Sequence, residues 1–140
     1  MDMMDSKYAN VDLSEYPIIV VHLNPITPTP HHIEQMFVDL EAAITSTTGP
    51  YVVISPFNGK YIPSDARVLL GEKARKMHER FQGRELGSLV VTESPVVRVM
   101  LQTINALFKT HSNNQKIVAS MEKAKEAARE MLEKAEETIS

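Results

Sequence analysis

Apolar positions along this chain fall into two alternating kinds of segment. Four short runs are dominated by Val and Ile: PIIVVHL (17–23), YVVIS (51–55), SLVVTE (88–93) and KIVAS (116–120). None alternates cleanly between apolar and polar positions, which is the pattern of strands covered on both faces in a parallel sheet. Residues 6–16, SKYANVDLSEY, alternate weakly and predict an edge strand in a hairpin with 17–23. The segments between have helical spacing. In TPHHIEQMFVDLEAAIT, Ile33, Met36, Phe37, Leu40 and Ile44 share one face, with Thr29 as N-cap and Pro30 at the first helical position. SDARVLLGEKARKMHERF aligns Leu70, Ala74, Met77 and Phe81. SPVVRVMLQTINALFKT opens on Ser94 and Pro95, and MEKAKEAAREMLEKAEETIS aligns Met121, Ala124, Ala128, Leu132, Ala135 and Ile139.

The predicted order is therefore ββαβαβαβα. Strands alternating with helices imply right-handed crossovers and a mostly parallel central sheet, here of 4–5 strands with about four helices. Residues 1–140 read as a single α/β domain, with 1–5 expected to be disordered and 121–140 forming a C-terminal helix.

Composition narrows the classes. A chain of 140 residues buries about two thirds of its unfolded surface, so it needs no disulfide or structural metal to fold. It has no cysteine, which excludes disulfides, zinc–thiolate sites and cysteine nucleophiles. With 18 acidic and 15 basic side chains the net charge is -3, without the clustered basic face of a nucleic-acid binder. No apolar run approaches the ~18 residues that span a bilayer. Aspartates in MDMMDSKYAN stand where a secretory signal needs positive charge, so the expected location is the cytosol.

In open α/β sheets, ligands gather at the carboxyl ends of strands, where loops enter helix N-termini. Those ends carry His22 and Asn24, then Ser55 and Asn58, then Glu93 and Ser94, while Ser64 opens the helix after YVVIS. Such a polar rim suits an anion or a protein partner. Ser64 itself has two readings. As a helix cap it is worth about 1 kcal/mol. As a phosphorylation site it would put nearly two negative charges at the positive end of a helix dipole, repelled by Asp65 and partly offset by Arg67.

The third helix is apolar around most of its circumference, where a helix covering a sheet needs only one stripe. Its surplus, at Val97, Met100, Leu101, Ile104 and Phe108, must be covered by a neighbouring helix, by a second copy in a homodimer, or by an apolar ligand. Other chemistry finds little support. NGK at 58–60 has Tyr61 where a phosphate-binding P-loop has Ser or Thr. His31 and His32 are adjacent and so point about 100° apart on a helix, poorly placed as metal co-ligands. No metal or cofactor is expected.

The strand order, the loop after YVVIS and a serine opening the second helix resemble the STAS fold of bacterial anti-sigma-factor antagonists and the SpoIIAA-like proteins. There an Asp-Ser-Ser/Thr-Gly signature opens the helix, and a partner anti-sigma kinase phosphorylates its serine to switch partner binding. Ser64 is the matching position, with Pro63, Asp65 and Ala66 in place of the other signature residues. The resemblance spans about residues 6–135 and lies closer to the divergent SpoIIAA-like branch, which often lacks the signature and is similar to small lipid-binding domains. It implies a non-catalytic regulatory module that binds a protein partner at the rim around Ser64. The alternative is a carrier for an apolar or lipid-like ligand between the third helix and the sheet. A small hydrolase built on His22, Ser55 and Glu93 comes third.

Overall fold

A computed structural model of the chain describes residues 7–57, 60–108 and 115–139, without the side chains of 103–108, 115, 138 and 139. The expectations for residues 1–5 and Asn58, and for the side chains of Ile104 and Phe108, lie outside the described residues. The elements run β1 (Ala9–Asp12), β2 (Ile18–Leu23), α1 (Pro30–Thr45), β3 (Tyr51–Pro56), α2 (Ser64–Arg80), β4 (Glu85–Val91), α3 (Pro95–Phe108), β5 (Gln115–Val118) and α4 (Met121–Ile139). They form one five-stranded sheet in sequential order, β1 antiparallel to β2 and every later pair parallel. The α/β class and the mostly parallel sheet are as the sequence predicts.

Sequential strand order fixes where the helices go. Each parallel crossover turns the same way, so the helices joining β2 to β3, β3 to β4 and β4 to β5 stack on one face. α1 packs on α2 and α2 on α3, while α4, which follows the last strand, returns over β3 and β4. Alternation along the strands divides the core accordingly. Ile19, Val21, Tyr51 and Val53 point towards α1 and α2. Ile18, Val20, Val52, Ile54 and Leu89 point towards α4.

The helices form for local reasons that the sequence carries. In α1, Thr29 accepts a hydrogen bond from the His32 amide (3.3 Å), and His32 Nδ1 accepts one from the Thr29 amide (3.1 Å). His32 is thus occupied in a capping box. Ile33, Met36, Phe37, Leu40 and Ile44 are all buried, as their spacing predicts. On α4, Ala124 and Ala128 are fully buried at 0% exposure, and such small side chains let the helix lie close on the sheet. Ser120 Oγ caps α4 by accepting from the Lys123 amide, and Lys125 ties the helix to Glu15 at 3.0 Å.

Two differences from expectation stand out. β4 begins at Glu85, three residues before the Ser88 with which the run SLVVTE opens, and ends at Val91. Its backbone pairs with β3 from Tyr51 onward, through a register shift between Tyr51 and Val52. The residue before it, Arg84, clamps the end of the sheet opposite the rim. It donates to Gly49 O (2.8 Å), Ile44 O (3.0 Å), Tyr16 Oη (3.3 Å) and Thr47 Oγ1 (3.3 Å), and lies over the Tyr51 ring. The Ile44 carbonyl belongs to the last turn of α1, where unsatisfied carbonyls favour a cation. Gly49 exposes its carbonyl to Arg84 at φ +83, a conformation side chains other than glycine rarely adopt.

Candidate functional site

Parallel strands β2, β3 and β4 bring the expected rim residues to one edge of the sheet. The pleat then separates them. His22 continues the alternation of Ile18 and Val20 on the α4 side, is exposed, and sits 3.4 Å from Asp12. The hydrogen bonds from Ser14, more than His22, hold the Asp12 carboxyl below its usual range. Ser55 continues Tyr51 and Val53 on the opposite face. His22 and Ser55 therefore lie on different sides of the sheet, and the His22–Ser55–Glu93 grouping is not assembled; Glu93 is exposed. Asn24 is structural: its side chain donates to Lys7 O (2.6 Å), and its amide to Tyr8 O (2.7 Å). Ser94 is the cap its position predicts, accepting from the Val97 amide at 3.2 Å.

Ser64 departs from the cap reading. Pro63 holds the N-cap position with no side-chain cap bond, and Ser64 is the first residue of α2, exposed to solvent. Beside it Arg67 lies 5.5 Å from the centroid of the exposed Tyr61 ring. On α3, the described part of the expected apolar face turns inward. Met100 packs on the main core, Leu101 lines the space beneath, and Val97 is half-buried. Val96 and Val99 are the ones left in solvent, at 79% and 61% exposure.

That space is a cavity of about 160 Å³ between the sheet and α1, α2 and α3. Val21, Leu23, Met36, Phe37, Leu40, Val53, Phe57, Ile62, Leu70, Met77, Val90 and Leu101 line it. Packed interiors hold few voids larger than a water molecule, so a space of this size needs a cause. The cause is local. α2 presents Gly71 and Ala74 towards it and β4 presents Ser88, three small side chains around one volume. Leu70 and Ala74, expected on the buried stripe, are only half-buried for the same reason.

The polar groups of the lining are Tyr8, Ser55, Ser88, Lys116 and a close pair, His78 Nδ1 to Glu85 Oε2 at 2.8 Å. The Glu85 side chain is only 6% exposed. Burial pushes its carboxyl up from the ordinary value, against the opposing contact with His78. Nearby, the Tyr51 hydroxyl is buried without a hydrogen-bond partner among the described residues, and burial, helped by the Glu85 charge, raises its pKa. Burial also pushes Tyr8, another lining residue, up to about 12.

Neither His78 nor Glu85 was singled out by the sequence pattern. His78 lies beside Met77 on α2 and follows Ala74 of the apolar stripe by one helical turn. Among the described residues no three His, Asp or Glu side chains are placed to hold a metal ion. No helix among them is long and apolar enough to cross a membrane.

Fold and cavity together define an α/β domain with three helices over one face of a sequentially ordered sheet and one over the other. Comparison with known proteins returned no match: no family model, no curated protein and no solved structure.

Proposed function

We propose that this protein is a non-catalytic, cytosolic binding module that takes a compact apolar group into the cavity beneath α2 and α3. The observation that carries this reading is the cavity itself, about 160 Å³ with a mostly apolar lining. An engineered apolar cavity of about 150 Å³ in another protein stays dry and binds benzene, so the volume suits a ring or a short branched chain. Of the ligands expected for a carrier, this favours a compact one over a long acyl chain. The test is a titration with toluene followed by amide chemical shifts and thermal unfolding. Saturable shifts should cluster at residues around Gly71, Ala74 and Ser88. Toluene at ten times its Kd should stabilise the fold by about 1.4 kcal/mol. Ala74→Leu, or the milder Ser88→Val, should remove both effects. Shifts that never saturate, or that survive both substitutions, would end the proposal.

A second reading follows the STAS resemblance, in which a protein partner docks around Ser64. It is favoured by the exposed Ser64 hydroxyl, which no cap engages, at the start of α2 beside Arg67. A phosphate there would meet the positive end of the helix dipole. In that reading two copies would pair through Val96 and Val99 of α3. If Ser64→Asp leaves the set of co-purifying partners unchanged, the switch is excluded.

A further inference from the structure

We infer that the cavity selects a ligand whose polar end donates a hydrogen bond and carries no negative charge, an amine or alcohol on a compact apolar body, and rejects the matching carboxylate. This rests on the cavity being a binding site, as proposed above, and adds the chemistry of the head group. Glu85 lines the cavity with its side chain 6% exposed, and Oε2 is engaged by His78 Nδ1 at 2.8 Å. Its other oxygen takes no hydrogen bond from the described residues.

An ionised carboxylate can only accept, so Nδ1 of His78 carries the proton between them. The oxygen of Glu85 that His78 leaves free therefore offers the cavity an acceptor and no donor. An entering ammonium or hydroxyl can donate to that oxygen. An entering carboxylate meets the like charge of a side chain only 6% exposed, which bulk water screens poorly. Lys116, the other charged residue at the lining, is on the edge strand β5 in register with Leu89 of the α4 face, and is exposed, so solvent screens its attraction for an anion. The hydroxyls of Tyr8, Ser55 and Ser88 can donate or accept and do not discriminate between the heads.

The experiment measures Kd on the full chain at pH 8 for four phenyl probes: toluene, benzylamine, benzyl alcohol and benzoate. Benzylamine or benzyl alcohol should bind at least about tenfold more tightly than benzoate, a difference of about 1.4 kcal/mol. Glu85→Gln keeps the shape of the side chain and should bring benzylamine and benzoate within about threefold of each other. Each affinity is read relative to toluene on the same variant, and the amide spectrum of Glu85→Gln should remain that of a folded chain. Benzoate binding as tightly as benzylamine overturns the inference. So does an order of heads that survives Glu85→Gln, or a benzoate preference abolished by Lys116→Ala. Toluene binding with no preference among the heads defeats this inference alone. Failure of every probe to bind defeats the apolar-cavity reading with it.

Discussion

The two faces of the sheet are built from neighbouring residues of the same strands, yet they pack differently. Towards α4, Ile54 and Leu89 meet Ala124 and Ala128, all at 0% exposure, and large strand side chains fit against small helical ones. Towards α1, α2 and α3 the pattern partly reverses. Large side chains of α1 fill their share of the layer, whereas α2 brings Gly71 and Ala74 over the small Ser88 of β4, and the cavity opens there. A tight core therefore depends on large and small side chains being complementary across the interface, position by position.

Truncation should separate the faces most. Leu89→Ala leaves a hole in the tight face and should cost about 2–5 kcal/mol in urea unfolding. Leu70→Ala, half-buried beside an existing cavity, should cost less than half as much. Equal costs would mean that the cavity face is packed as well as the other.

Enlargement gives the opposite contrast with a smaller effect. Ala128→Leu forces a side chain between α4 and the sheet and should cost about 1–3 kcal/mol. Ala74→Leu grows into free volume and should cost less than about 1 kcal/mol or stabilise the fold. If Ala74→Leu is the more damaging of the two, the cavity is not open in solution.

The smallest effect concerns the polar wall of the cavity. Because burial raises the native pKa of Glu85, the folded state holds its proton more tightly than the unfolded chain does. Its contribution to stability is then fully present below the ordinary 4.5 and is lost as pH rises through the raised native value. Compared with Glu85→Gln, the native chain should lose stability over that interval and be no more stable than the variant at pH 8. Matched unfolding curves at several pH values check this, and a native chain that gains on the variant as pH rises would reverse the sign.

What could be seen in the sequence was local. The α1 stripe, the Ser94 cap and the Val/Ile strands β2 and β3 each depend on spacing within one segment, and they appear where expected. The cavity depends on Gly71, Ala74 and Ser88 meeting across a crossover, which no single periodicity encodes. His78 and Glu85 are seven residues apart across a helix end and a turn, and they face each other only once β4 pairs with β3. The rim failed for a related reason. Strand ends share an edge, but with Val20 paired to Ile54 the pleat puts His22 on the face of Val20 and Ser55 on the opposite one. Pro63 displaced Ser64 from its expected role because the helix starts one residue earlier than a serine cap would require.

Diffraction from a crystal held under xenon tests the cavity most directly, since xenon enters dry apolar voids of this size. We expect a single strong peak bounded by Gly71, Ala74 and Ser88, and none beneath Ala124 and Ala128. A cavity collapsed by inward movement of Leu70 and Met77, with no xenon bound there, would contradict the central claim.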